Sequence, residues 1–527
     1  MVAEDQAPLS EVVGLTRVVA HQVVVRAAGH QVADQEEEED DKQMKKTLLL
    51  ILTLTTLLAS AQTAQDALQY SLINYYGSAR FDAMGGAFNA LGGDYSSVLI
   101  NPAGGSIYKT TGAEFTLGVS SDENGAMYNG SNAQDVNSNI YVGTVGFIKR
   151  YEDALRSPNW SDLTFTVGFA RLNDFNRNQQ IQGEADISRA DYFADLAQGT
   201  PYENLGFEYP FDAELAWYTF LIDTLGTPDN YVSLVQNPGG LQQERINSSG
   251  SQNEINLGLS TCYANSLHFG ASIGIPIINY SEERYYGETG LDSASNTVNG
   301  WSYNQFLETS GGGFNVKLGI IYRPANWLRL AAAYHSPSWY TMEEFYSSSM
   351  RTNFSDGGTI TRDSPEGNYT YDLRTPGRWH LGAAVVIAPA GVVSVDYEIV
   401  DYSNAEFGSV DGFDYGPTNS QIANSYSNSN VLRIGTEWRV KNLYFRGGYQ
   451  VWGSPLNNAS PFSYDRTSIS GGIGFRSHRF QLDLTYMATE VNSTRSLYAT
   501  VDGQETDPVS ITNLEQRFVM TAAFPIR

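Results

Sequence analysis

From Glu114 to the C-terminus, apolar and polar residues alternate with a period of two, and the breaks between alternating runs are short and long by turns. In "LTFTVGFA", Leu163, Phe165, Val167 and Phe169 share one face; in "FNVKLGIIYR", Phe314, Val316, Leu318, Ile320 and Tyr322 do. In "LRIGTEWRV" the apolar set is Leu432, Ile434, Trp438 and Val440. Such alternation describes strands with one apolar and one polar face. The pattern predicts fourteen strands, near 113–121, 138–149, 161–173, 253–263, 266–279, 312–323, 327–343, 371–388, 391–403, 429–440, 442–452, 466–476, 479–492 and 510–524. Most reach the ~9–11 residues that a tilted strand needs to cross a bilayer. The short connections are "ANS" at Ala264, "PAN" at Pro324, "APAG" at Ala388, "KN" at Lys441 and "SH" at Ser477. The long ones are polar and rich in Gly, Ser, Asn and Asp: 173–252, 280–311, 344–370, 404–428, 453–465 and 493–509. A soluble sandwich has no reason to sort its loops this way, whereas a bacterial outer-membrane barrel does. The expected fold is therefore all-β: a fourteen-stranded antiparallel transmembrane β-barrel over residues 111–527. An even strand number puts both chain ends on the periplasmic side.

The segment ahead of the strands fits export. "MKKTLLLILTLTTLLASAQ", Met44 to Gln62, has a basic start, an apolar stretch too short for a permanent span, and Ala59-Ser60-Ala61 as a small-x-small cleavage site. Residues 44–61 are read as a signal peptide, cleaved after Ala61. Residues 1–43 end in the acidic run "DQEEEEDDKQ" and are expected to be absent from the mature protein, Met44 being the true start; a genuine acidic extension is the alternative. No other apolar run is long enough to span a membrane as a helix. With 32 basic against 58 acidic residues the chain lacks the basic face that nucleic acid requires. Cys262 is the single cysteine, so no intrachain disulfide forms.

The polar strand faces would line a lumen. They carry Lys317, Arg323, Arg329, Asp396, Glu398, Arg433, Glu437, Arg439, Arg446 and Asp483, whose mixed signs predict a ladder of ion pairs. Wall stiffening and an ion path are both open readings. Within the loop 173–252, "ADYFADLAQ" and "FDAELAWYTFLID" have helical spacing. Phe211, Leu215, Tyr218 and Ile222 would share a face, with Trp217, Phe220 and Leu221 beside it. Such an apolar cluster needs burial, either as a lid on the barrel mouth or as a capture site for an apolar ligand; the two are compatible. Histidines are scattered without metal-ligand spacing, so no metal or other cofactor is expected. His335 beside Ser336 is the one candidate for nucleophilic chemistry, and a hydrogen bond inside the lumen accounts for it better. No enzymatic activity is expected.

The stretch "GSARFDAMGGAFNALGGDYSSVLINPAGGSIY", Gly77 to Tyr108, resembles the N-terminal hatch of the FadL/TodX family of outer-membrane transporters for hydrophobic compounds. The likeness lies in the glycine-rich approach, "GGDYSS", and then Asn101, Pro102 and Ala103. "YHSPSW" from Tyr334, "RTPGRWHLG" from Arg374, "VDYEIVDYS" from Val395 and "LRIGTEWRV" with "YFRGGY" look like that family's barrel strands. The resemblance implies that residues 62–110 form a hatch inside the barrel, with Asn101, Pro102 and Ala103 at its gating contact. A barrel of fourteen strands lies between the filled and the open sizes, so without a plug it would leak. It implies passive uptake of a hydrophobic small molecule, a long-chain fatty acid or an aromatic hydrocarbon, by a chain acting as a monomer amid outer-membrane lipid. The alternative is a non-transporting scaffold of the same fold that holds secreted or surface proteins.

Overall fold

The computed structural model describes residues 62–527 apart from 153, 155–156, 158, 236–238, 292–296, 411, 499–505 and 527. The leader and the acidic stretch before it lie outside the described residues.

Fourteen antiparallel strands close on themselves. In chain order they are β1 (Thr111–Tyr128), β2 (Ser131–Tyr151), β3 (Trp160–Asp174, continued by Arg177–Glu184), β4 (Leu241–Tyr263), β5 (Leu267–Thr289), β6 (Val298–Ala325) and β7 (Leu328–His335 and Trp339–Phe354). They continue with β8 (Gly367–Arg374 and Arg378–Ile387), β9 (Gly391–Asp401 and Glu406–Ser409), β10 (Asn428–Val440), β11 (Leu443–Trp452), β12 (Tyr464–Arg476), β13 (Gln481–Arg495) and β14 (Val509–Ile526). Each pairs with its sequence neighbours, and β14 returns to β1 with Thr111 opposite Ile526. Closure leaves no free sheet edge at the seam, which a lipid environment demands of backbone polar groups.

The alternation falls as the sequence requires. Leu318, Leu432 and Phe445 point outward and are exposed, as are Ile273, Phe314, Trp379 and Ile473. Phe165 is half-buried on the same face. Together these residues form a continuous apolar belt that water would not tolerate and that matches the outer face of a membrane barrel.

Several strands run well past the expected ends. β5 and β6 occupy much of 280–311, which the sequence presents as a loop, and β1 and β2 meet at a two-residue turn with Asn129 and Gly130 both at positive φ. This is the Asn-Gly turn whose twist matches a hairpin. Above the lipid belt the outward face is no longer apolar, with Asn304 and Glu308 exposed, so the ladder continues where the hydrophobic alternation has stopped.

Three neighbouring strands break near one level. Ser336-Pro337-Ser338 interrupts β7, Thr375-Pro376-Gly377 interrupts β8, and a 3₁₀ turn, Tyr402–Asn404, interrupts β9. Proline cannot donate to a ladder, which accounts for the first two breaks.

Candidate functional site

Residues 62–108 are enclosed by the barrel. They form α1 (Ala64–Ser71), α2 (Ala79–Ala83), α3 (Tyr95–Ile100) and a 3₁₀ turn over Pro102–Ile107. The caps are local and legible: Thr63 and Asp66 make a reciprocal capping box on α1, Ser78 caps α2 and Asp94 caps α3. Almost every residue from Tyr75 to Gly105 is buried. Gly92 and Gly93 both adopt positive φ, the αL conformation in which glycine carries no Cβ penalty.

The wall is thinned to receive this segment. A Cβ on Gly270 would overlap Pro102 and Ala103, one on Gly319 would overlap Asn101, and one on Gly382 would press on Asn89. Gly435, Gly448 and Gly472 give the same clearance to Met84, Gly85 and Ala83. Asn101 sits at the centre of the contact. Its backbone is extended (φ −139°, ψ 105°), the region favoured before proline. Its side-chain nitrogen donates to the Ile320 carbonyl of β6 at 3.2 Å and to Asn89 at 2.9 and 3.1 Å, while its Oδ1 accepts from the Ala103 N–H at 3.0 Å. Pro102 supplies the first position of the turn, where no N–H is needed.

A layer of ion pairs packs against the same segment. Glu398 accepts from Arg378 (3.0 Å) and Arg433 (2.6 Å). Glu437 accepts from Arg446 (2.7 Å) and from Arg80 of α2 (2.8 Å), and Arg446 reaches Asp483 (2.7 Å). Lys317 pairs with Glu254 at 2.5 Å. Asp396 accepts from the Asn89 N–H at 2.7 Å, and Arg329 donates to the Leu91 carbonyl at 2.7 Å. The ladder is thus shared between wall and enclosed segment rather than confined to neighbouring strands.

Two expected members stand apart. Arg439 has the correct parity but is exposed beside the β10–β11 turn, where its Nε donates to the Lys441 carbonyl. Arg323 is half-buried near the opposite end of β6 from its loop, and its backbone N–H bonds Ser266. Parity fixes the face of a strand but not the depth. Arg80, Glu254 and Arg378 were missed; Arg80 had a signal, as a cation in an otherwise nearly uncharged glycine-rich stretch.

The loop insert folds as a lid over the upper strand ends. Phe193 of α4 (Arg189–Ala197) is fully buried against Trp301 and Tyr303 of β6. Arg189 lies over the rings of Phe193, Tyr286 and Tyr303 at 5.0–5.7 Å. After α5 (Leu205–Glu208), α6 spans only Ala213–Tyr218 and stops before Phe220, which adopts positive φ. The helical face expected to run to Ile222 therefore does not form, and the candidate ligand contacts separate. Leu215 and Leu221 are buried in the lid core, Trp217 stacks on Tyr202 at 5.0 Å, and Phe211 packs edge-on to Tyr346. Tyr218 and Phe220 are exposed. Asp212 caps α6 through Ala213, and burial pushes its carboxyl up to about 6.

His335 and Ser336 do not form a pair: His335 bonds the Ile100 carbonyl at 2.8 Å and Ser336 donates to the Pro337 carbonyl. Among the described residues no group of three or more His, Cys, Asp and Glu is placed to hold a metal ion.

The wall itself is unzipped between β2 and β3. β2 pairs with β3 only from Thr144 opposite Ala170 down to Tyr151 opposite Leu163. Above this, residues 131–143 of β2 have no ladder to β3 among the described residues. β3 is bulged at 171–173 and its continuation passes behind β2, where the Asn124 side chain of β1 donates to the Asn178 carbonyl. The enclosed segment takes up the freed backbone: Asn74 and Tyr76 donate to the Leu172 and Arg171 carbonyls at 2.9 and 3.0 Å. Tyr76 packs edge-on to Tyr141 at 5.0 Å, and Asn139 bonds Asp174 across the opening at 3.1 Å.

No family model matches the chain, and no curated protein matches it. Solved structures share its fold. The P. putida toluene transporter TodX is 14% identical, with a TM-score of 0.51 over 86% of this chain and 100% of that one. A Pseudomonas aeruginosa FadL homologue is 12% identical, with a TM-score of 0.51 over 87% and 98%.

Proposed function

We propose that this chain, whose fold is that of the FadL and TodX barrels, is an outer-membrane channel for passive uptake of hydrophobic small molecules. Residues 62–110 act as its hatch, and ligand leaves sideways through the opening between β2 and β3. The observation that carries this reading is the combination of a closed floor and an open wall. Straight down, a ligand meets the Arg–Glu layer and the Asn101–Pro102 contact; an apolar molecule gains nothing there, and displacing paired charges is costly. Sideways, it meets Tyr76, Tyr141 and the unpaired edge of β2, whose outward Ile140 and Val136 are exposed. A strand edge left unpaired at the rim of the apolar belt is expensive unless it lines a passage.

No bond is made or broken in this mechanism. The lid and upper lumen collect the ligand, the stretch Asn74–Tyr76 withdraws from Arg171 and Leu172, and the ligand partitions into the lipid. Toluene and fatty acids both satisfy the chemistry.

A reversible lock tests it. In a Cys262→Ser background, Asn139→Cys with Asp174→Cys places thiols where those side chains now touch. Oxidation is expected to abolish uptake of a hydrophobic probe into proteoliposomes, and reduction to restore it. Unchanged uptake in the locked barrel refutes lateral exit. A scaffold would show no uptake for the lock to abolish.

A further inference from the structure

We infer that the α-amino group released by leader cleavage is itself a structural ligand of the barrel interior, held as an ammonium by Glu344 of β7 with Asp66 of α1 beside it. The inference rests on cleavage after Ala61, not on the uptake reading.

Gln62 is an unusual first residue for a mature chain because it is buried, and buried among acids. Its side-chain nitrogen donates to Glu344 Oε1 at 3.0 Å, and its Oε1 accepts from the Tyr415 hydroxyl at 2.9 Å. Glu344 is 5% exposed, and its other oxygen accepts from Tyr371 at 3.2 Å. Immediately after Gln62, the Thr63 N–H donates to Asp66 Oδ2 at 2.8 Å. Gln62 therefore has a carboxylate at its side chain, and the residue that follows it has another at its backbone. Among the described residues neither carboxylate has a Lys or Arg within ion-pair distance, whereas Glu398 and Glu437 each have at least two. Each carboxylate oxygen can accept about two hydrogen bonds; Asp66 Oδ2 already accepts from the N–H and the hydroxyl of Thr63, which leaves Glu344 and Asp66 Oδ1 to take a further donor.

Processing supplies that donor. Hydrolysis of the Ala61–Gln62 bond by a leader protease consumes one water, leaves a carboxylate on Ala61 and a primary amine on Gln62. An α-amine with a pKa of about 8 takes up a proton at neutral pH. The charge arises only in the cleaved chain and only at the residue that faces Glu344. Closure of the lumen by α1 is thereby coupled to removal of the leader: an uncleaved chain carries a neutral amide there. The same contacts protect the terminus from cyclisation, in which the free amine attacks the side-chain carbonyl and expels Nε2 as ammonia. Here the side-chain amide is held by Glu344 and Tyr415, and the protonated amine is not a nucleophile.

The test is amine labelling of the purified barrel in detergent at neutral pH with an N-hydroxysuccinimide ester, read by mass spectrometry of the N-terminal peptide. The expected wild-type result is an uncyclised Gln62 terminus that labels at least tenfold more slowly in the folded than in the unfolded protein. Glu344→Gln should label near the unfolded rate and open more often in planar bilayers. Glu344→Asp, which keeps the charge, should recover most of the protection. If Glu344→Gln does not fold, Asp66→Asn is read in its place, with the same expected loss of protection. A terminus elsewhere than Gln62, a terminal peptide lighter by one ammonia, or equal labelling of wild type and both charge-neutral variants overturns the inference. Substrate is absent throughout, so failure of the uptake reading would leave these results standing.

Discussion

Gly270→Ala separates seating of the N-terminal segment from integrity of the wall. Gly270 has an ordinary strand backbone in β5, paired with Ser260 of β4 and Gly319 of β6, so alanine should not disturb the ladder. Its Cβ, however, would overlap the Pro102 carbonyl and the Ala103 nitrogen, which are backbone atoms and cannot swing aside as a side chain can. Overpacking of this kind costs ~1–3 kcal/mol. If that strain falls on the seated state alone, the ratio of seated to unseated segment drops by roughly 5- to 150-fold, since each 1.4 kcal/mol is a factor of ten. The assay is single-channel recording in planar bilayers. Wild type should conduct rarely, and Gly270→Ala should open more often by a factor in that range. Gly312→Ala on neighbouring β6, where an added Cβ has nothing within 4 Å, is the control and should behave as wild type. Equal opening by Gly270→Ala and Gly312→Ala, or a wild type that is already open, would refute the view that Pro102–Ala103 seals against the wall.

Three further outcomes follow from other contacts. Arg446→Met removes the cation that pairs Asp483, while Glu437 keeps Arg80, and should cost about 3–5 kcal/mol in urea unfolding, with partial recovery when Asp483→Asn is added; full wild-type stability would show the pairs are inert. Phe193→Ala removes a fully buried ring from the lid and should destabilise that unit by about 3–5 kcal/mol, seen as faster proteolytic nicking between residues 185 and 240 with no change in barrel unfolding. Asp212 is raised by burial from its ordinary 3.8 to about 6, so the folded lid binds the proton more tightly than the unfolded loop. Lid stability should therefore fall as pH rises from about 4 to about 6 and then level off, and Asp212→Asn should flatten that dependence of nicking rate.

What could be read in one dimension follows from what lipid demands. Inside the belt an outward residue must be apolar, so β10 to β12 and the turns at Lys441 and Ala264 emerge within two residues. Above the belt that demand ends: "SEERYYGET" in β5 carries no alternation, although it pairs residue for residue with β6. Asn101 and Pro102 were singled out by their resemblance to the hatch motif, and the extended backbone of Asn101 is the one a residue before proline favours. The glycines that receive it were not: Gly270 and Gly319 look like any strand glycine until the segment they clear is known. Likewise α6 ends early because Phe220 turns left-handed to bring Leu221 under the lid, a tertiary gain that local periodicity does not contain.

The arrangement of charge and of small residues points to one division of labour. The Arg80–Glu437 ion pair ties the enclosed segment to β10, and the Asn101 contact ties it to β6. Both anchors hold the part of the segment from Arg80 onward. Asn74 and Tyr76, by contrast, are held by hydrogen bonds: two backbone bonds and the Asn74–Asn173 side-chain bond to β3, with Asn74 also bonded to Arg466 of β12 and the Tyr76 hydroxyl to Glu515 of β14. A neutral hydrogen bond is worth about 0.5–1.5 kcal/mol and one to a charged group about 1.5–3 kcal/mol, whereas removing one partner of a buried ion pair costs about 3–5 kcal/mol. Among the described residues the stretch before α2 is therefore held by hydrogen bonds where the later part of the segment is also held by an ion pair, and β2 and β3 are unzipped beside it.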